Sequence, residues 1–221
     1  MAEQTNLPPI QRPKQKSNFW KKAIVIFIII SMSASTVGFA YVSYSNDQQS
    51  KKQDSPQNGF QIGNYTFYDV GDGTFGTYVT YQGQQQPIQF RLDPREAGSI
   101  PIDDSAVQKI LSAKKVYLTS DPQGPELPKV AVAAYEISRI FGFYGIKATG
   151  AYTRDADPPN PDIPLKTCAD ASSTTTVVVL EEGNFTGITE ENNCVHVSGF
   201  NADELIWAAD KLGMNLLGIT L

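Results

Sequence analysis

The chain has 221 residues, enough for one globular domain with additional segments. Its formal net charge is −5 and its pI is about 4.9. This charge argues against a nucleic-acid partner, because nucleic acids select a basic face. Two cysteines and one histidine are too few for a structural zinc site, which takes four such ligands. The sequence therefore indicates no cofactor and no dedicated zinc centre.

An uncharged run of roughly 22 residues occupies positions 23–44. As a helix it rises about 1.5 Å per residue and covers a hydrocarbon core of roughly 30 Å. We predict a transmembrane helix over 19–44 that contacts membrane lipid through 23–44. The aromatic residues that suit the two interfaces are Phe19, Trp20, Tyr41 and Tyr44.

Basic residues predict the orientation of this helix. Arg12, Lys14, Lys16, Lys21 and Lys22 precede it, whereas only Lys51 and Lys52 follow closely. The positive-inside rule therefore places the N-terminus in the cytoplasm and the C-terminal domain outside the cell membrane.

Two other interpretations of the apolar run stay open. One is a signal peptide cleaved after Gly38-Phe39-Ala40. The other is a pilin-like leader cleaved between Lys22 and Ala23. A retained anchor is favoured, because the apolar run is long for a signal-peptide core.

Polar segments flank the predicted helix. Residues 1–18 are rich in Pro and Gln and poor in apolar groups, which predicts a disordered cytoplasmic tail. Residues 45–59 have the same polar character and predict a flexible linker.

Residues 60–93 predict a membrane-proximal three-stranded β-meander. Period-two alternation over 65–70 indicates a strand, and Gly71-Asp72-Gly73 is typical of a hairpin turn. Residues 77–81 and 88–92 predict the other two strands, joined by a Gln-rich turn over 82–86. The many aromatic residues are compatible with carbohydrate binding, but aromatics also suit strands and cover a core.

Residues 94–221 alternate between strand and helix patterns and predict an extracytoplasmic α/β domain, with α+β as the alternative class. Its sheet is expected to be mixed, mostly parallel and flanked by about three helices. The predicted strands cover 115–119, 145–153, 175–180 and 194–198. The predicted helices begin near Asp103 or Asp104, near Pro128 and after Asn201, which forms a capping pair with Glu204.

Several polar residues are candidate ligands or modification sites. The proline-rich loop over 154–164 carries Asp155, Asp157 and Asp162, weak candidates for calcium, although their spacing does not fit an EF-hand. We interpret it as a solvated acidic loop. Asn64 and Asn184 each begin an N-x-Thr triplet and are candidate glycosylation sites.

Cys194, His196, Ser198 and Asp203 form a cluster that resembles a catalytic group. Alternate strand residues share a face, but neighbours two apart are about 6 to 7 Å apart, which is long for a Cys–His dyad. We predict instead a disulfide between Cys168 and Cys194, worth roughly 3 kcal/mol by chain entropy. His196 is then a half-buried sheet residue, Ser198 and Asp203 serve a turn and a cap, and no residue is assigned as catalytic.

Three segments, FRLDPREAGSIPID, TCADA and CVHVSGFNADELIWAADKLGMNLLGI, resemble a set of uncharacterised small single-pass membrane proteins of archaeal genomes. The resemblance covers roughly residues 88–221. It implies a single-pass membrane protein, and it transfers no catalytic residues. The strand-then-helix unit over 197–212 is also similar in style to units of surface-layer and polysaccharide-export accessory proteins, an analogy only.

The leading hypothesis is therefore a membrane-anchored exterior module that binds or scaffolds another envelope protein or a glycan. One alternative is a glycan-processing enzyme that uses carboxylates, with Asp93, Glu96, Asp121 and Asp170 as candidates. The other is a pilin-like filament subunit.

Overall fold

A computed structural model describes residues 59–220 of the chain. The tail and the membrane helix expected over 1–44, and the linker up to residue 58, lie outside the described residues. Within residues 59–220, no helix combines the length and the apolar character needed to cross a bilayer.

The first sheet is an antiparallel meander of four strands, in the order β1-β2-β3-β4. The strands are β1 (Phe60–Ile62), β2 (Tyr65–Gly71), β3 (Thr74–Tyr81) and β4 (Gln84–Phe90). The sequence predicted a meander of three strands and therefore missed the strand β1. β1 has only three residues, so its pairing with β2 leaves no clear alternation in the sequence.

Two-residue turns set the register of this sheet. Asp72 and Gly73 both have positive φ angles, of 55° and 71°, and join β2 to β3. Gln82 and Gly83 do the same between β3 and β4, with φ angles of 49° and 78°. Such turns match the twist of antiparallel strands. The prediction of a long Gln-rich turn was wrong, since the residues from Gln84 onward pair with β3.

The second sheet has five strands in the order β6-β5-β7-β9-β8. They are β5 (Lys115–Ser120), β6 (Ala148–Tyr152), β7 (Thr175–Glu182), β8 (Gly187–Glu191) and β9 (Cys194–Gly199). All neighbours are parallel except β8, which pairs antiparallel with β9. The chain thus has the mixed α/β character that the sequence predicts.

The edge strand β8 was missed by the sequence analysis, which treated 181–193 as a polar connection. β8 ends in two exposed or half-exposed glutamates and has little hydrophobic alternation. Its turn carries the signal, because Asn192 and Asn193 adopt φ angles of 52° and 69°. Asparagine tolerates this conformation better than most residues.

Three α-helices lie in the described part of the chain: α1 (Asp104–Ser112), α2 (Leu127–Phe143) and α3 (Ala202–Leu216). Helix α3 begins where expected, since the Asn201 side chain accepts hydrogen bonds from the backbone N–H groups of Asp203 and Glu204, each at 3.0 Å. Helix α2 begins one residue before Pro128 and continues through Gly142 to Phe143.

Helices α2 and α3 run side by side in the same direction. Near their starts Lys129 pairs with Asp203, and near their ends the Tyr144 hydroxyl donates to the Leu216 carbonyl. Parallel helices are expected here because each follows a strand of one parallel sheet and returns across it.

The main hydrophobic core lies on both sides of these helices. It includes Phe67 and Phe90 from the first sheet, and Val178 and Val195 from the second. Residues next to Val178 and Val195 in their strands point to the opposite face of the second sheet. These residues form a separate, smaller hydrophobic cluster there. That cluster contains Cys194 and positions the site described next.

Candidate functional site

The only two cysteines of the chain form a disulfide on the face of the second sheet away from the main core. The Cα atoms of Cys168 and Cys194 are 5.2 Å apart. Cys194 begins β9 and is fully buried, whereas Cys168 lies on the short 3-10 turn Cys168–Asp170 and is partly exposed. The bond therefore ties a surface segment to a central strand.

His196 lies beside this disulfide. Its Nε2 atom is 3.3 Å from the Sγ atom of Cys168, and its Nδ1 atom is 2.8 Å from Oε1 of Glu181. A carboxylate only accepts hydrogen bonds, so Nδ1–H donates to Glu181 and Nε2 faces the sulfur. This hydrogen bond raises the pKa of His196 above its ordinary value.

Strand alternation explains how the three elements meet. His196 pairs with Val179 in the parallel register of β7 and β9. Residues 177, 179 and 181 of β7 and residues 194, 196 and 198 of β9 therefore share one face. Glu181 reaches the imidazole from the neighbouring strand, and Cys168 reaches it from the turn above the sheet.

The partner expected for His196 from the sequence lay within its own strand. The sulfur that contacts the imidazole belongs to Cys168, 28 positions away, not to Cys194 as a dyad on one strand would require. Glu181 was not considered at all. One feature of the sequence pointed to Glu181 as a neighbour of His196. Glu181 lies near the end of a buried, β-branched strand, and a later strand carries the only histidine of the chain.

Two lysine side chains, Lys115 and Lys166, lie over an aromatic ring on this face of the second sheet. The Nζ atoms of Lys115 and Lys166 lie 4.6 Å and 5.4 Å from the centre of the Tyr117 ring. Tyr117 packs in the same small cluster as Cys194. Lys166 is also ion-paired with Asp170 at 2.8 Å.

Three of the four carboxylates proposed for the enzyme alternative have a basic partner. Asp93 pairs with Arg95 at 2.5 Å, and Asp121 pairs with Arg154 at 2.6 Å. The hydrogen bond from the guanidinium lowers the pKa of each carboxyl. The hydrogen bond from Lys166 likewise lowers the pKa of Asp170. Glu96 lies exposed in the turn before the short 3-10 turn Ala97–Ser99.

The remaining candidates lie apart from the disulfide. Asn64 and Asn184 are exposed, in the β1–β2 turn and in the β7–β8 connection. Among the described residues, the one group of three side chains close enough to share a metal ion is Cys168, Cys194 and His196. Asp155, Asp157 and Asp162 are exposed in the loop after β6 and do not form such a group.

Ser198 and Asp203 have no role at the disulfide. Ser198 is buried in β9, and Asp203 lies in the first turn of α3, where it pairs with Lys129 at 2.9 Å. The capping side chain is that of Asn201, as predicted, and Asp203 takes part in the cap only through its backbone N–H.

A second polar group lies between the first sheet and the helices. Asp210 of α3 is 1 % exposed, and burial raises the pKa of its carboxyl to about 7. Glu136 of α2 is also buried and pairs with Arg139 at 2.5 Å and with Arg91 at 3.2 Å. This network joins elements of the fold, and its acids have little access to solvent.

An exposed cavity lies close to the start of α3. Its volume is about 420 Å³. Trp207 and Phe200 are 40 % and 60 % exposed in this region. The residues that line the cavity are Arg91, Asn201, Asp203, Glu204, Ile206 and Trp207.

The chain was compared with models of protein families, with curated protein sequences and with solved structures, and none of them matches it.

Proposed function

We propose that this chain is a single-pass membrane protein whose folded domain lies outside the cell and binds or scaffolds another component of the envelope. The observation that carries the proposal is the Cys168–Cys194 disulfide within the domain. Such bonds persist in oxidising compartments and are rare in the cytosol. The uncharged run over 23–44, with its basic N-terminal flank, supplies the anchor and the orientation.

The resemblance of residues 88–221 to small single-pass membrane proteins of archaeal genomes is consistent with this proposal. It supports a single-pass membrane anchor.

The cavity beside Trp207 is the surface that we propose for binding. Exposed Trp and Arg side chains are enriched at binding interfaces, where an aromatic ring supplies contact area. Arg91 and Asp203 carry charges of opposite sign and line the same cavity as Trp207. An envelope protein or a glycan with hydroxyl and ring faces would complement this combination.

The glycan-processing alternative is less well supported. General-acid catalysis of glycoside cleavage needs a carboxyl group with a raised pKa near the scissile bond. Among the proposed candidates, the pKa values of Asp93, Asp121 and Asp170 are lowered by their basic partners. Asp210 has a raised pKa, but it is 1 % exposed.

Topology is tested with two single substitutions in the full-length chain, Lys14→Cys and Lys51→Cys. A membrane-impermeant maleimide applied to intact cells should label Lys51→Cys, and it should label Lys14→Cys only after lysis. The reverse pattern, or labelling of neither variant outside, would overturn the exterior placement.

The intact mass of the protein purified from its own membranes separates the remaining alternatives. We expect a full-length mass and thiols that alkylate only after reduction. A mass that corresponds to a chain starting at Ala23 would instead indicate a filament subunit. A mass that corresponds to a chain starting after Ala40 would indicate a secreted protein.

Binding is tested by chemical cross-linking in native membranes. Trp207→Ala should remove a specific cross-linked species that the natural chain forms. Tyr78→Ala should retain it, because Tyr78 is an exposed aromatic residue on the first sheet, with 53 % exposure. If no species depends on Trp207, this surface is not the binding site.

A further inference from the structure

The disulfide has the surroundings of a reactive site as well as those of a structural link. One of its sulfurs belongs to a partly exposed residue, and the other belongs to a fully buried one. An incoming thiolate can therefore reach Cys168 more readily than Cys194. Thiol–disulfide exchange depends on which sulfur is attacked and on how well the leaving thiolate is stabilised.

A histidine lies close enough to both sulfurs to stabilise either thiolate when it leaves. The Nε2 atom of His196 is 3.3 Å from Cys168 Sγ, and the reactive atoms of Cys168, Cys194 and His196 all lie within 4.8 Å of one another. The imidazole is fixed by its 2.8 Å contact with Glu181. A protonated imidazole close to a sulfur favours the thiolate form.

We propose that Cys168 and Cys194 form a redox-active pair that exchanges with dithiols, and that His196, oriented by Glu181, assists the exchange. The proposal rests on the geometry of these four residues and does not depend on the binding function or on the location of the domain. Its substrate class is a dithiol, either a reduced cysteine pair of another protein or a small molecule.

The exchange proceeds in two balanced steps. A thiolate of the dithiol attacks Cys168 Sγ, the Cys168–Cys194 bond breaks, and Cys194 leaves as a thiolate that takes up a proton. The second thiolate of the dithiol then attacks its own sulfur in the mixed disulfide, and Cys168 leaves as a thiolate beside His196. The dithiol is oxidised to a disulfide, and the Cys168–Cys194 bond is reduced to two thiols.

The first test measures the rate at which dithiothreitol reduces the disulfide of the folded, full-length protein at pH 7. Alkylation followed by intact mass gives the reduced fraction. His196→Gln should slow the reduction by about tenfold, because each leaving thiolate loses the imidazole that lies within 4.8 Å of both sulfurs. Glu182→Gln is the matched control, since Glu182 is an exposed neighbour of Glu181, and it should leave the rate unchanged.

Equal rates for the natural protein and His196→Gln would overturn the proposal. So would a natural disulfide that dithiothreitol reduces only when the protein unfolds, because the bond would then be structural. Loss of the fold, followed by circular dichroism, distinguishes this second case.

A second measurement isolates the interaction between Cys168 and His196. Cys194→Ala leaves Cys168 as the one thiol of the chain. The pH dependence of its alkylation by iodoacetamide should have a midpoint at least one pH unit below that of an ordinary thiol, which is about 8.5. His196→Gln in the same background should move this midpoint to higher pH. It should also lower the alkylation rate at pH 7 by about tenfold.

An ordinary midpoint in the folded Cys194→Ala variant would contradict the proposal. If this variant does not fold, the reduction rates of the natural cysteine pair decide the question, because His196→Gln keeps both cysteines. Glu181→Gln should give a smaller effect than His196→Gln in the same direction, as expected for a positioning residue.

Discussion

The carboxylate of Asp210 accepts a hydrogen bond from the backbone N–H of Leu92 at 2.8 Å, and a second one from the N–H of Arg91 at 2.5 Å. These two contacts join the last helix to the end of the last strand of the first sheet. Strand β4 ends at Phe90, so the two N–H groups have no strand partner in the described sheet. Asp210 thus satisfies backbone donors that the chain would otherwise bury.

Asp210 predicts that stability depends on pH. Burial raises the pKa of this carboxyl from 3.8 to about 7, so the folded protein binds the proton more tightly than the unfolded chain does. The free energy of unfolding should therefore be highest, for this group, below about pH 4. It should fall as pH rises to about 7, by up to roughly 4 kcal/mol. Urea denaturation between pH 4.5 and pH 8 measures the effect.

Asp210→Asn should remove most of this dependence. The amide oxygen still accepts from both N–H groups, and no charge is buried at high pH. We expect the variant to match the natural protein near pH 5 and to exceed its stability at pH 8 by roughly 1 to 3 kcal/mol. Asp210→Ala is the control, because it leaves both donors unpaired and should be less stable than Asp210→Asn by about 2 to 4 kcal/mol at every pH. The same slope in Asp210→Asn as in the natural protein would contradict this assignment.

The buried pair of Glu136 and Arg139 predicts a second set of stabilities. The Glu136 side chain is almost inaccessible to solvent. Arg139→Met therefore leaves a buried carboxylate that only Arg91 neutralises. We expect a loss of about 2 to 4 kcal/mol in the free energy of unfolding. Replacing both residues, Glu136→Leu with Arg139→Met, should restore part of that loss, because no charge is then left unpaired.

The exposed pair of Lys129 and Asp203 is the matched comparison for this test. Their side chains are 44 % and 63 % exposed. Lys129→Met should change the free energy of unfolding by less than about 1 kcal/mol. A larger effect there than at Arg139 would show that burial does not govern the strength of these pairs.

Gly199 is required by the close approach of β9 to α3. A Cβ atom at this position would lie 2.2 Å from the backbone nitrogen of Leu205, inside the helix. Gly199→Ala should therefore cost at least about 3 kcal/mol or prevent folding. Gly150→Ala, also in a strand of the second sheet, meets nothing within 4 Å. It should stay within about 1 kcal/mol of the natural protein in thermal denaturation.

The capping residue of α3 gives a smaller effect. Asn201→Ala removes the acceptor for the N–H groups of Asp203 and Glu204, and we expect a loss of about 1 kcal/mol. Asn201→Asp keeps an oxygen in the same place and should be nearly neutral. Equal losses in the two variants would mean that the side chain contributes through contacts other than the cap.

Local chemistry in the sequence was sufficient for several elements of the fold. The glycine-containing turn at Asp72–Gly73 and the cap at Asn201 follow from residues within a few positions of one another. The alternation of buried β-branched strands with amphipathic helices predicted an α/β class with a mostly parallel sheet. The pairing of the cysteines also followed from the sequence, because the chain contains no other cysteine.

Only the tertiary structure decided which distant groups meet. The contact between Cys168 and His196 depends on the turn over 168–170 folding across a central strand, and that of Asp210 with Leu92 joins residues 118 positions apart. The tertiary structure also determined the short edge strands β1 and β8. Their sequences have only a weak preference for the strand conformation, and pairing with a neighbouring strand supplies the rest. Residue patterns report local preference, whereas contacts between distant residues depend on how packed elements share one core.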